Sequence, residues 1–381
     1  MTYPHQIQNS SPQKRTSRKR KVVFIFLLII LLLFIGHCIL VKIGSRERQT
    51  DCMETDSSNI YSLKSRLNLL SLMPEVKNAA TKGRAAEIDY GTYTIPGLDA
   101  TLTQVHGDKQ GSAICTSMVP QGLAVTEKYL LVSAYCYSGT HNSVIYVIDK
   151  KDHTFIKEVV LKNKAHVGGL AYDPIHHNIW ISGMSRGVPQ VNAIPMSLLE
   201  TYSFEKEHLP IVYSQSYDLY AITRSSFLTY HDNSLYVGYF TQNTASVLEQ
   251  YNILDDGTLE TRIAPDPKTK LDLLTPIALP ADMRVITSRA QGVAFYKDKL
   301  LFSHSYGLTP SRIQVYENSF NKILEESATV KSILLPEKLE QIYVDNDDLY
   351  VLFESAAYGY RLRSVMKMDR ILKLDLKELL S

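Results

Sequence analysis

Gln121, Gly168, Ser225, Gln291 and Glu340 each stand one position before the residue that opens a strand in five related phrases, and His166, Arg224 and Arg289 lie beside them. This set offers two amides, a carboxyl, an imidazole and two guanidinium groups. Brought to one place, they suit a polar or anionic ligand such as a carbohydrate or a carboxylate, held by charge-assisted hydrogen bonds in a concave site. The alternative role is internal: the same groups bond to one another and to channel water and fix the elements that carry them. A second set follows the second strand of each phrase: Ser133, Tyr135, Ser182, Arg186, Tyr239, His304, Tyr306, Glu354 and Tyr358. Within it Tyr135, His304 and Glu354 are the candidates for a second binding mouth, with tyrosine suited to sugar stacking and peptide contact.

Other chemistries find less support. His304 lies between Ser303 and Ser305, but no Gly-x-Ser-x-Gly elbow accompanies it, so nucleophilic hydrolysis lacks its usual frame. Asp345-Asn346-Asp347-Asp348 lacks the glycine and terminal glutamate of a helix-loop-helix calcium loop and reads as a turn between two strands. The chain has four cysteines. Cys115 and Cys136 flank one strand and are expected to form a disulfide if the domain lies in an oxidising compartment. No Cys-x-x-Cys or His-x-x-x-His spacing marks a zinc site.

The elements that must position these residues repeat. Small or short residues at 122, 169, 226, 292 and 341 open apolar runs such as Leu123-Ala124-Val125 and Val293-Ala294-Phe295. Each is followed by a turn, a second strand and a third. The spacings of 47, 57, 66 and 49 residues each hold one four-stranded propeller blade of about 40–50 residues, two of them with insertions. Glycine at the start of an inner strand fits the crowding near a propeller axis. The fifth phrase ends near the C-terminus without a fourth strand, which the segment from Asp89 to Thr103 is placed to supply, closing the ring. The fold class is therefore all-β, a propeller of five blades over residues 86–381; a sixth, degenerate blade within 86–119 is the alternative.

Upstream, residues 1–21 carry the basic run Lys14, Arg15, Arg18, Lys19, Arg20 and Lys21, which dominates the net charge of +2. Residues 22–41 are apolar but for His37. They match the length of a transmembrane helix and exceed the apolar region of a cleaved leader, about 7–15 residues. The charge bias predicts a signal-anchor: a single-pass membrane protein with a cytoplasmic N-terminus, lipid bilayer around residues 22–41 and an extracellular, cell-surface propeller. Residues 42–85 read as a stalk, with Leu63, Leu67, Leu70 and Met73 at helical spacing. No basic face outside the first run suggests nucleic acid.

Pro120-Gln121-Gly122-Leu123-Ala124, Gln291-Gly292-Val293-Ala294-Phe295 and Leu349-Tyr350-Val351-Leu352-Phe353-Glu354-Ser355 resemble segments of lactonase-type and senescence-marker-type bacterial propellers. The chain as a whole is similar to uncharacterised membrane-anchored proteins of Gram-positive bacteria. The first resemblance implies a divalent metal ion at the axis, with Glu340 as the matched ligand and metal-dependent hydrolysis as the activity; the Asn and Asp partners have no match here. The residues themselves favour a binding or scaffolding module whose partner is a glycan, peptide or protein.

Overall fold

The computed structural model describes residues 21–36, 61–108, 111–265, 274–319 and 322–381. Strand β1 (Tyr93–Thr94) and the antiparallel pair β2 (Thr101–Gln104) and β3 (Ser112–Cys115) come first. Blade 1 holds β4 (Met118–Val125), β5 (Tyr129–Cys136), β6 (Val144–Asp149) and β7 (Phe155–Val160). Blade 2 holds β8 (Leu170–Asp173), β9 (Asn178–Ser185), β10 (Val188–Pro195) and β11 (Gln215–Asp218). Blade 3 holds β12 (Phe227–His231), β13 (Ser234–Gly238) and β14 (Ser246–Asn252); after an inserted pair, β15 (Thr261–Pro265) and β16 (Leu274–Ala278), it is completed by β17 (Asp282–Ile286). Blade 4 holds β18 (Ala290–Tyr296), β19 (Lys299–His304), β20 (Ser311–Glu317) and β21 (Lys331–Leu335). Blade 5 holds β22 (Leu339–Asp345), β23 (Asp348–Phe353) and β24 (Arg370–Asp375).

The fourth strand of blade 5 is β1, paired antiparallel with β24 through Tyr93↔Ile371 and Thr94↔Arg370. The ring is thus closed by the N-terminal side of the domain, and five blades are present. Residues 86–119 hold β1 to β3 and no sixth blade among the described residues. The long spacings have two origins. Helices Met196–Thr201 and Phe204–Glu207 separate β10 from β11. The pair β15–β16 leaves blade 3 and docks on blade 2, where Asp218 of β11 meets Ile277 of β16 in parallel. Blade 2 becomes a six-stranded sheet whose outer edge is covered.

Backbone crowding at the axis accounts for the opening glycines. A methyl on Gly169 would stand 2.4 Å from the Leu228 nitrogen of the next blade, and one on Gly292 would stand 2.9 Å from Gln341 Cα. The apolar faces of neighbouring blades interleave: Trp180, Leu228 and Leu235 between blades 2 and 3, Phe227, Val293 and Phe302 between blades 3 and 4. The turn read at Asp345–Asp348 is a two-residue hairpin with Asn346 in the left-handed region.

Upstream of the ring, Ser62 caps helix Leu63–Leu69. A 3-10 turn and helix Pro74–Thr81 follow, and Leu70, Met73, Val76, Ala79 and Ala80 bury against blades 4 and 5. The N-terminal apolar segment is different from its expectation. Among the described residues a helix covers 21–36. Among the described residues no helix is long and apolar enough to cross a membrane. This overturns the single-pass anchor, the bilayer contact and the cell-membrane and extracellular placement drawn from residues 22–41. The basic run up to Arg20, the rest of that span from His37, and the stalk to residue 60 lie outside the described residues.

Candidate functional site

The inner strands of three blades bulge at one level. Opposite Ser133, two residues of β4 (Gln121 and Gly122) stand against one; Gln291 of β18 is an extra residue; and Glu340 and Gln341 of β22 stand against Leu352. A bulge bends its strand and re-aims the side chains beside it. Here it turns Gln121, Gln291 and Glu340 into a cavity of 590 Å³ at one end of the channel. A serine on the second strand of blades 1 and 2 holds the start of the inner strand. Ser133 Oγ accepts from Gly122 N at 2.9 Å and donates to Val167 O at 2.6 Å, and Ser182 Oγ accepts from Gly169 N at 2.8 Å.

Blades 2 and 3 contribute from the segments that precede their inner strands: Lys164 and His166 for blade 2, Arg224 and Ser225 for blade 3. Ser225 Oγ is fixed by the carbonyls of Gly183 (3.0 Å) and Gln190 (3.1 Å). Val167, next to His166, is β-branched yet holds φ at +43°. Such strain persists only where the surroundings enforce it, and it gathers at functional sites.

Gln341, next to Glu340 but not itself lining the cavity, ties the blades together. It occupies the position held by Gly122, Gly169, Ser226 and Gly292 elsewhere, and it is fully buried. Its Oε1 accepts from Leu123 N (3.0 Å) and Leu170 N (2.9 Å), and its Nε2 donates to Leu170 O (2.6 Å) and Leu228 O (2.8 Å). One side chain from blade 5 thus reaches across the axis to blades 1, 2 and 3 and satisfies itself fully.

Just above it lie two carboxyl groups, Glu340 and Glu354, only 4% and 5% exposed. They share a hydrogen bond. Gln121 Nε2 donates to Glu354 at 3.0 Å, Gln291 Nε2 to Glu340 at 3.3 Å, and Lys338 Nζ stands 3.7 Å from Glu354. Burial, and then the charge of Glu354, hold the Glu340 pKa well above the usual carboxylate range. Burial raises Glu354 as well, opposed by Lys338 and Gln121. Two buried carboxylates in contact cannot both ionise without large cost, so the pair favours sharing a proton, and the upward push is strong on Glu340. His166 is exposed at the cavity wall; the protein packed against its ring, and then Arg224, lower its pKa to about 4. Its imidazole is neutral near pH 7. The exposed Arg224 and Lys164 put cations at the rim.

The two residue sets read from the sequence meet here. Glu354, just past the end of β23, lies beside the start of its antiparallel partner β22, and from there it accepts from Gln121 of the neighbouring blade. Tyr135 supports the wall from behind: its ring packs 3.9 Å from His166 and its hydroxyl lies 3.4 Å from that of Tyr360. Two candidates lie elsewhere. Arg289 holds φ at +66° and turns away, its Nε donating to Gln242 O at 3.1 Å and its guanidinium over Tyr306. His304 is 3.0 Å from Ser288 O, and burial lowers its pKa to about 4. Lys338, Gln341 and Tyr360 were not read from the sequence; Lys338 carries the one available signal, a basic residue just before an inner strand.

An axial metal does not fit Glu340. Its polar neighbours are amides and a carboxyl already paired with a lysine, and among the described residues no group of three metal-ligating side chains includes it. No step is derived through a metal there. The expected Cys115–Cys136 disulfide is also corrected: both thiols are free, with their sulfur atoms 3.3 Å apart.

No known family and no curated protein matches the chain. Among solved structures it is similar, over 76% of its length and 91% of the other chain, to one in a nidogen/laminin complex, at 10% identity and a TM-score of 0.39. It is also similar to the WD40 repeats of RRP9 (9% identity, 70% of this chain and 79% of that one, TM-score 0.35) and to Kuenenia stuttgartiensis hydrazine synthase (12%, 67% and 74%, TM-score 0.31).

Proposed function

We propose that this propeller is a binding module that takes a small hydroxylated acid, an acidic sugar or a related carboxylate, into the cavity at its channel mouth. One observation carries the reading: polar side chains from all five blades converge on one cavity, with the cations Arg224 and Lys164 exposed and the buried Glu340–Glu354 carboxyl pair within it. A ligand carboxylate matches Arg224 and Lys164 at the rim. Ligand hydroxyls match the amides of Gln121 and Gln291, neutral His166, and the Glu340–Glu354 pair, which both donates and accepts. The volume suits a molecule of mono- or disaccharide size. Scaffolding of a larger glycan, peptide or protein would use the same mouth with only a terminal group inserted.

The test is calorimetric titration of the protein with glucuronate, gluconate and glucose. The expected result is saturable binding of the two acids, weakened about tenfold by Arg224→Ala, corresponding to loss of one charge-assisted contact of about 1.4 kcal/mol. Equal binding of glucose and glucuronate, or no binding of any of the three, removes the reading.

A further inference from the structure

A second cluster of chemically capable side chains, none of which lines the cavity, lies where β3 and β5 end beside the start of β4. Cys115 closes β3, Cys136 closes β5, and His141 follows a turn. Cys136 Sγ stands 3.3 Å from Cys115 Sγ and 3.4 Å from His141 Nδ1, and all three donor atoms lie within 4.8 Å of one another. We propose that Cys115, Cys136 and His141 form a binding site for a thiophilic divalent cation of the zinc class, independent of the channel cavity.

The geometry is close to what such an ion needs. Bonds of about 2.3 Å to sulfur and about 2.0 Å to nitrogen in a tetrahedron set sulfur atoms roughly 3.8 Å apart and sulfur and nitrogen roughly 3.5 Å apart. Opening the pair by about half an ångström admits the ion. Each ligand is held by a separate backbone anchor: Cys115 opposite Thr101, Cys136 opposite Met118, and His141 bridged to Val105. The turn between them is tied by Gly139 N donating to Cys136 O and by Tyr137 N donating to Ser117 O.

The donor set selects the ion class. Two thiolates and an imidazole suit a borderline-soft cation and reject calcium and magnesium, which take oxygen ligands. Three protein ligands leave a fourth position. It opens toward the exposed residues Ser138 and Thr140, whose hydroxyls lie 3.0 Å and 3.7 Å from Cys136 Sγ and are placed to hold a bound water. The same turn is the entry path. On binding, each thiol proton leaves to solvent, and the metal accepts two sulfur lone pairs and the Nδ1 lone pair of His141. His141 then gives up its contact with Thr140 Oγ1, now 3.0 Å.

Cobalt(II) is the probe, added to the full chain carrying Cys38→Ser and Cys52→Ser so that only this thiol pair remains, reduced and under argon. The expected result is one cobalt per chain with thiolate-to-metal charge-transfer absorption, displaced by one equivalent of zinc. His141→Ala, at a partly exposed position, keeps the fold by circular dichroism and weakens cobalt binding at least tenfold. Cys136→Ser abolishes the charge-transfer band. Three results each overturn the site: no stoichiometric cobalt in the folded, reduced protein; unchanged affinity in His141→Ala; or a thiol pair that closes to a disulfide in air at the same rate with and without excess zinc.

Discussion

Blades 1, 4 and 5 begin their inner strands with a bulge, whereas blades 2 and 3 begin them later, after an irregular lead-in. The bulged side gives the cavity Gln121, Gln291, Glu340 and Glu354; the other gives it Lys164, His166, Arg224 and Ser225. Residue type follows backbone. The bulges sit deep, where partial charges must be matched, and they present amides and a proton-sharing acid pair. The lead-ins sit at the rim, where solvent screens full charges, and they present the cations. One side of the ring supplies hydrogen-bond shape and the other supplies charge attraction.

The sharpest way to break this contrast is at Gln341, the point where the bulged side grips the other. Gln341→Ala leaves the buried N–H groups of Leu123 and Leu170 and the carbonyls of Leu170 and Leu228 without this partner. A loss of about 3–5 kcal/mol is expected, each orphaned buried group costing about 1–3 kcal/mol. Chemical denaturation measures it. Gln341→Met, which keeps volume but not hydrogen bonds, is expected to lose nearly as much. If Met restores stability, packing rather than bonding joins the two sides.

The carboxyl pair gives the next effect. The folded Glu340 pKa is raised above its unfolded value of 4.5, so the folded state binds more protons there than the unfolded one. The pair's contribution is then complete below about pH 4.5 and falls as pH rises toward the folded value. Glu340→Gln keeps a donor toward Glu354 and removes the titration. Its stability relative to the parent is expected to grow between pH 4.5 and 8 in paired denaturation curves. A constant difference across that range means the pair does not share a proton.

Much of the ring was legible because strand, turn and strand are local patterns. The five phrases, the closure from the Asp89–Thr103 segment and the glycine positions all follow from alternation and crowding. Three things were not. The bulges at Gln121, Gln291 and Glu340 depend on which neighbours the next blade offers, so the sequence places these residues near the mouth without aiming them. Gln341 fills a glycine position, and only the meeting of four blades shows that its amide has four partners. The N-terminal apolar run matches a spanning helix in composition, yet its described helical part stops at residue 36. The cysteines show the same limit: their flanking of one strand brings them together, but the imidazole beside them comes from a turn, so no regular spacing announces the trio.

Arg224→Ala tests the rim side alone. Arg224 is exposed, so stability is expected to stay within about 0.5 kcal/mol, while binding of glucuronate weakens about tenfold and the remaining binding loses most of its salt dependence. Salt dependence that persists in this variant moves the charge attraction to Lys164, which the double substitution then resolves.

The smallest effect separates two arginines that look alike in sequence. Arg289 precedes an inner strand as Arg224 does, but its backbone lies in the left-handed region, and its guanidinium donates to Gln242 O and covers Tyr306. Arg289→Gly relieves a left-handed conformation that costs a non-glycine residue about 1 kcal/mol and gives up an exposed hydrogen bond and a cation–π contact of similar size. The net change in stability is expected to stay within about 0.5 kcal/mol, with glucuronate affinity unchanged. A loss of affinity equal to that of Arg224→Ala would mean that the bulged side also supplies a rim cation, and the division of labour between the two halves of the ring would fall.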